Sequence, residues 1–306
     1  MKYVVIGAGG TGGGIGALMA KAGKAVTLIA RGAHLEAIKE RGLVIEKLWE
    51  NQMETVQVDA CAMEEYQGQA DVIFVCVKYY SLDSTVPFIR RISGKNTVVI
   101  PILNIYGTGG KLQEVLPDIL VTDGCIYISA EIKAPGHILM HSNICRIVYG
   151  FRNHEVPDIL KQIHKDLTDC KIKAVISENI QRDALRKFSY VAPIGACGLY
   201  LNATAGEFQK EGRPREMFKA MVTELMALAG AMGIEIEEDW VSINLNILDT
   251  LLPETTTSMQ RDVMAGKVSE MDGLVFEVIR MAEKYHVDMP VYTMVAEKFG
   301  YGKTAQ

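Results

Sequence analysis

The chain has few cysteines, and none of them is paired in sequence. Cys61, Cys76, Cys125, Cys145, Cys170 and Cys197 are scattered over 306 residues, with no Cys-x-x-Cys and no histidine beside them at metal-ligand spacing. This argues against a disulfide framework and leaves no metal site to expect; buried free thiols in a reducing compartment are the reading that remains. No apolar run approaches the ~20 residues that span a bilayer. The sequence opens Met1-Lys2 and passes at once into a strand-like run, without the pattern of a signal segment, so a cytoplasmic location is expected. A basic excess is missing as well: 32 Lys and Arg stand against 37 Asp and Glu, a net charge of -5. Phosphate backbones and anionic membranes need clustered cations, so neither nucleic acid nor membrane is an expected partner. Internal repeats and low-complexity segments are also lacking.

What is present is an ordinary globular composition, 49% hydrophobic and 23% charged, in a chain long enough for two domains. In the first half, "KYVVIG", "AVTLIA", "ADVIFVCV" and "NTVVIPIL" are continuously apolar, rich in Val and Ile and bounded by turn residues. Strands buried on both faces of a parallel sheet have that pattern. Helical stretches at residues 13–22 and "LDSTVPFIRRI" separate several of them. Four later runs, "ILVTDGCIYISA", "GHILMHS", "CRIVYG" and "IKAVIS", predict further strands, some antiparallel, with "DILKQIHKDLTD" as a helix between the last two. From about residue 178 the pattern becomes helical, with segments predicted near 180–208, 214–232, 238–250, 268–285 and 291–299. The expectation is an α/β fold: a Rossmann-type doubly wound domain over 1–177 that binds a dinucleotide, then an all-helical domain over 178–306, with a cleft between them.

Gly7, Gly9 and Gly12 form a G-x-G-x-x-G that follows the first strand and opens a helix. In that context Gly7 makes the tight turn, Gly9 lets the backbone approach a pyrophosphate, and Gly12 allows close helix–strand packing. About 20 residues further on, where an NAD site carries an acidic residue, the second strand ends in Arg31. A carboxylate accepts from the ribose 2′-hydroxyl and repels a 2′-phosphate; a guanidinium does the reverse. One such contact, ~1.5–3 kcal/mol, favours NADP over NAD roughly tenfold to a hundredfold. NADP(H) is therefore the expected cofactor. Two more strand ends carry polar groups suited to cofactor or substrate, Lys78 and Asn104. Singly, each is also an ordinary polar strand end.

Five segments in order, "IGAGGTGGGIGALMAKAGKAVTLIARGAHLEAI", "VCVKYYS", "ILNIYGTGGKLQEVL", "ALRKFSYVAPIGACGLYLNATAGEF" and "TSMQRDVMAGKVSEMDGLVFEVIRMAEKYHVDMPV", resemble the ketopantoate reductase (2-dehydropantoate 2-reductase) family over nearly the whole chain. The last is the most specific, with Ser-Met-x-x-Asp, then Ala-Gly, then Glu-x-Asp. The resemblance implies NADPH-dependent reduction of a 2-keto acid to a 2-hydroxy acid, ketopantoate to pantoate in the first instance, on the route to pantothenate. It implies Lys187 as catalytic general acid, Glu270 as a catalytic and substrate-binding carboxylate, and Ser258 as the group that meets the substrate carboxylate. Lys78 and Asn104 also fall on family positions, Asn104 toward both cofactor and substrate, although Ile105 replaces the usual glycine. Read without the resemblance, Lys187 and Glu270 are exposed helix residues and Ser258 is a helix cap. Family asparagines four and eight residues after the lysine are Val191 and Gly195 here, which predicts a pocket wall that is more apolar and, at Gly195, emptier. Two alternatives follow: a family member reducing a less polar 2-keto acid, or a catalytically idle NADPH-binding module. The exposed sides of the helices leave room for a homodimer.

Overall fold

The Val- and Ile-rich runs find partners on both faces, as continuous burial requires. In a computed structural model that describes residues 1–302, β1 (Lys2–Ile6), β2 (Ala25–Ile29), β5 (Asp59–Cys61), β6 (Ala70–Val75), β7 (Ser93–Pro101) and β8 (Leu120–Val121) form one parallel sheet, and β3 (Leu43–Lys47) and β4 (Gln52–Val56) lie outside it. Its spatial order is β5-β2-β1-β6-β7-β8, so the order reverses between β1 and β6. Alternate residues of β1 serve different cores: Tyr3 and Val5 pack with helix α1 (Gly10–Lys21), whereas Val4 and Ile6 pack with α3 (Leu82–Ile92) and α4 (Thr108–Val115). Helices thus cover both faces, the doubly wound arrangement. Helix α2 (Gly32–Arg41) contributes Ile38 to the α1 side.

A second sheet, order β11-β10-β3-β4 with β9 on β10, completes the same unit. β9 (Asp123–Ala134) and β10 (His137–Gly150) form an antiparallel hairpin, and β11 (Lys173–Ile176) follows α5 (Asp158–Asp169). The outcome differs from the sequence reading in several places: the run "ILVTDGCIYISA" divides at Thr122 between β8 of the parallel sheet and β9 of the second, and the three-residue β5 was not expected. "GHILMHS" and "CRIVYG" are parts of one 14-residue strand, because an irregularity in register between Met140 and Cys145 carries the polar Ser142-Asn143 without ending it. The β3–β4 hairpin was not expected, since "LVIEK" and "QMETV" are short and half polar. Ile138, Met140, Ile147 and Tyr149 of β10 share a core with Ile15 and Met19 of α1, so this sheet packs on the helix that the glycine motif opens.

The chain divides into compact units after Ile180, whose side chain packs with Cys125 and Val148. From Gln181 the second unit is helical: α6 (Ile180–Leu201), α7 (Ala205–Phe208), α8 (Arg213–Ala231), α9 (Trp240–Asp249), α10 (Ser258–Met264), α11 (Glu277–Tyr285) and α12 (Pro290–Lys298). A π-helical turn, Asp272–Phe276, interrupts what the pattern predicts as one helix over 268–285. Arg280 spans that turn, with Nε donating to Glu277 at 2.7 Å and the guanidinium reaching Asp272 at 3.0–3.1 Å. No helix among the described residues is long and apolar enough to cross a membrane.

Candidate active site

The glycine turn is built as its sequence demands. Gly7 has φ +97°, and a Cβ there would lie 2.9 Å from the Cys76 carbonyl oxygen, so only glycine fits. Its N–H donates to Ile29 O at 3.0 Å, tying the end of β1 to the end of β2. Gly12 is buried, and a Cβ there would collide with the carbonyl oxygen of Gly7. Gly9 is the opposite case: nothing lies within 4 Å of where its Cβ would be. As N-cap of α1 it therefore faces open space at the positive end of a helix, and the residues present fit a dinucleotide pyrophosphate.

Because neighbouring strands are parallel, the chain leaves β1, β2, β6 and β7 on the same sheet edge. Arg31 lies two residues beyond β2, exposed, as N-cap of α2. Lys78 follows β6 by three residues, and Asn104 follows β7 by three. The backbone repeats the pattern of Gly7 there, with Cys76 N–H donating to Ile6 O at 2.8 Å and Ile102 N–H to Val75 O at 2.9 Å. Glycine turn, Arg31, Lys78 and Asn104 thus share the carboxyl edge of one sheet, on either side of the point where strand order reverses, where ligands bind in open α/β sheets. Lys111 of α4 reaches this region too, donating to the hydroxyl of Tyr79 with its ammonium 5.0 Å from the ring centroid.

His34 is a residue that sequence reasoning missed. Its Nδ1 accepts from Gly136 N–H at 3.0 Å, so Nε2 carries the proton and donates to Ala8 O at 2.8 Å. One neutral imidazole therefore joins the glycine turn, the first turn of α2 beside Arg31 and the β9–β10 hairpin. Burial lowers its pKa from the ordinary 6.5, against the opposing effect of the Ala8 bond. The signal available in the sequence was only a histidine three residues after Arg31.

In the helical unit, α6 carries Lys187, partly buried, and runs unbroken through Pro193 to Leu201. Val191 is one turn further along. Gly195, two turns along, is not a vacancy: a Cβ there would lie 3.2 Å from Met259 Cε and 3.8 Å from Leu274 Cδ1. The predicted empty wall is therefore corrected, because side chains from two other elements fill it. Those elements are informative. Met259 follows Ser258, and the N–H of Leu274 donates to the carbonyl of Glu270 at 2.9 Å. The segments bearing Lys187, Ser258 and Glu270 thus converge around Gly195 within one unit. Ser258 is exposed and is the first helical residue of α10; the cap is Thr257, whose hydroxyl accepts from Gln260 N–H at 3.3 Å. Glu270 is 5% exposed and lies just before the π-helical turn. Gln260, also missed, holds α10 in place. Its Nε2 donates to Ala203 O at 2.9 Å while Oε1 accepts from Thr257 N–H at 2.9 Å, and Gly198 leaves the room for it.

Comparison with known proteins fits both units. The family model "Ketopantoate reductase PanE/ApbA" matches residues 3–153, and "Ketopantoate reductase PanE/ApbA C terminal" matches residues 179–300. The chain belongs to the ketopantoate reductase family. Membership makes it an NAD(P)-dependent oxidoreductase acting on CH–OH groups. Among its relatives, the uncharacterized oxidoreductase YkpB of Bacillus subtilis is 25% identical over 295 residues, covering 96% of each chain. A 2-dehydropantoate 2-reductase of Nostoc is 23% identical over 293 residues, covering 94% of this chain and 91% of the relative. The solved PanE/ApbA family ketopantoate reductase of Ralstonia eutropha superposes with a TM-score of 0.87 at 23% identity, covering 97% of both chains, which establishes a shared fold.

Proposed function

We propose that this ketopantoate reductase family member reduces a 2-keto acid to the 2-hydroxy acid with NADPH, with ketopantoate as the first substrate to consider. The observation that carries this reading is the convergence of the segments bearing Lys187, Ser258 and Glu270 around Gly195. Arg31 beside the glycine turn supports the choice of NADPH over NADH.

The nicotinamide cofactor supplies the hydride. As the ketone is reduced, negative charge builds on its oxygen; the Lys187 ammonium stabilises that charge and delivers the proton. The exposed Ser258 hydroxyl donates to the substrate carboxylate, and the Glu270 carboxylate accepts from the substrate hydroxyl. Lys78 and Asn104 would hold the cofactor at the sheet edge, and Asn104 is also assigned to the substrate. The unit from Met1 to Ile180 is assigned to NADP and the helical unit to substrate and proton transfer.

A second reading has its own support. Val191 offers no amide one turn from Lys187, and the position of Gly195 is filled by Met259 and Leu274, so neither position can hydrogen-bond a substrate hydroxyl. That favours a keto acid with a less polar side chain. Steady-state reduction of a panel of 2-keto acids, with and without a side-chain hydroxyl and with each cofactor, separates the two. The first reading requires the highest kcat/KM with ketopantoate and NADPH. A higher value for an unhydroxylated acid selects the second, and no turnover with any 2-keto acid defeats both.

A further inference from the structure

Helix α6 contains a defect at a consequential place. Pro193 has no N–H, so the carbonyl four residues earlier, that of Ser189, loses its helical hydrogen bond, and the proline ring crowds the same carbonyl. Ser189 is fully buried, so water cannot serve as the replacement. Helix α6 nevertheless continues without interruption. The missing donor comes from α9: Asn244 Nδ2 lies 3.0 Å from Ser189 O and 3.0 Å from Ser189 Oγ. The Ser189 hydroxyl in turn donates to Arg186 O at 2.7 Å. The contact therefore bears on the helix on both sides of Lys187, at residue 189 directly and at residue 186 through the hydroxyl. Asn244 is 2% exposed and sits in the buried stripe Trp240, Asn244, Leu248, spaced by four, where it is the one polar member. An amide in an apolar stripe needs a partner to offset its desolvation, and Ser189 is that partner.

We infer that Asn244 is a positioning residue of this enzyme, a donor from a second helix that substitutes for the hydrogen bond Pro193 removes and so fixes the turn that presents Lys187. The inference rests on the role proposed for Lys187, but the hydrogen bond itself can be tested apart from it.

The test is a double-mutant cycle of Asn244→Leu and Pro193→Ala, read by turnover and by amide hydrogen exchange over residues 183–195. Asn244→Leu removes the donor at similar volume. It is expected to lower kcat roughly tenfold, the usual scale for one lost buried hydrogen bond, with NADPH affinity unchanged and faster exchange in α6. Pro193→Ala gives the Ser189 carbonyl a partner within its own helix, so it should return the double variant to within about threefold of wild type and restore the slow exchange. A purely structural packing role for Asn244 gives no such rescue. If Asn244→Leu does not fold, Asn244→Ala, which also lacks a donor, carries the same comparison. Wild-type exchange in the single variant, or a double variant as impaired as the single, overturns the inference. Exchange that follows the cycle while turnover does not upholds the hydrogen bond but overturns the positioning role; failure of the Lys187 reading itself is separated by Lys187→Ala, which would then keep wild-type turnover.

Discussion

The glycine turn departs from regular backbone and helix α6 from regular hydrogen bonding, and they differ in how far away the correction lies. At the turn, the residues that accommodate the departure are local. Gly7 takes the left-handed conformation, Gly12 makes room for the Gly7 carbonyl, and both are part of one short motif. In α6 the residue that accommodates Pro193 is Asn244, on another helix and 55 positions from the carbonyl it serves. The first kind of site is written in adjacent letters. The second exists only after packing. Under the proposed function the cofactor draws on the first and proton transfer on the second, so mutations in the two regions should fail in different ways.

The largest contrast is expected at Lys187. Under the proposed mechanism Lys187→Ala lowers turnover roughly a hundredfold or more, the contribution of a positioned acid, and leaves NADPH affinity near the wild-type value. Stopped-flow hydride transfer together with a fluorescence titration of NADPH measures both. Wild-type turnover would remove the helical unit's side of the comparison. Next in size is Arg31→Ala, which should reduce the preference for NADPH over NADH by roughly tenfold to a hundredfold, with NADH affinity nearly constant. Calorimetric titration of both cofactors decides it, and a wild-type preference for NADH would contradict the assignment outright.

A smaller effect tests the substrate wall. Val191→Asn restores one amide facing the Lys187 side, and one hydrogen bond of about 1 kcal/mol should raise the ratio of kcat/KM for ketopantoate over an unhydroxylated 2-keto acid about fivefold. Gly195→Asn is no companion to it, because Met259 and Leu274 occupy the space. An unchanged ratio would mean that position 191 does not sense the hydroxyl. Smallest is a pH effect at His34. Its folded pKa lies below the ordinary 6.5, so its contribution to stability is complete above that value and is lost as pH falls through it toward the folded pKa. Between pH 7.5 and 5.5, wild type should lose roughly 1 to 3 °C more in melting temperature than His34→Gln, which does not titrate. Parallel melting curves for the two proteins would show that the imidazole does not hold the turn.

Much of this was legible in the sequence, and unevenly. Buried parallel strands announce themselves as unbroken Val and Ile runs, and "DILKQIHKDLTD" coincides with α5 because its apolar residues repeat at helical spacing. The edge position of Lys78 and Asn104 followed from counting past strand ends. Hidden elements are those whose reason lies elsewhere in space. The β3–β4 hairpin is too short and polar to stand out, and it is held by β10. The π-helical turn leaves the residue pattern helical and changes only the hydrogen-bond register. His34, Gln260 and Asn244 are unremarkable letters whose partners lie 26 to 102, 57 and 55 positions away. Gly195 was misjudged for the same reason: an absent side chain was taken for space, and packing had already filled it.

The pairing of β3 with β10 sets a schedule for synthesis. Val44 stands opposite His137, a separation of 93 residues (137 minus 44). Elongation at about 5 to 20 residues per second places roughly 5 to 20 s between the two strands leaving the ribosome. The glycine motif is then among the first parts of the chain to emerge, while the sheet on which α1 leans cannot be completed until β11 has emerged at Ile176. A nascent chain halted near residue 120 lacks β9, β10 and β11, and with them the sheet on which α1 packs. It also leaves the β3 edge unmatched for the whole interval.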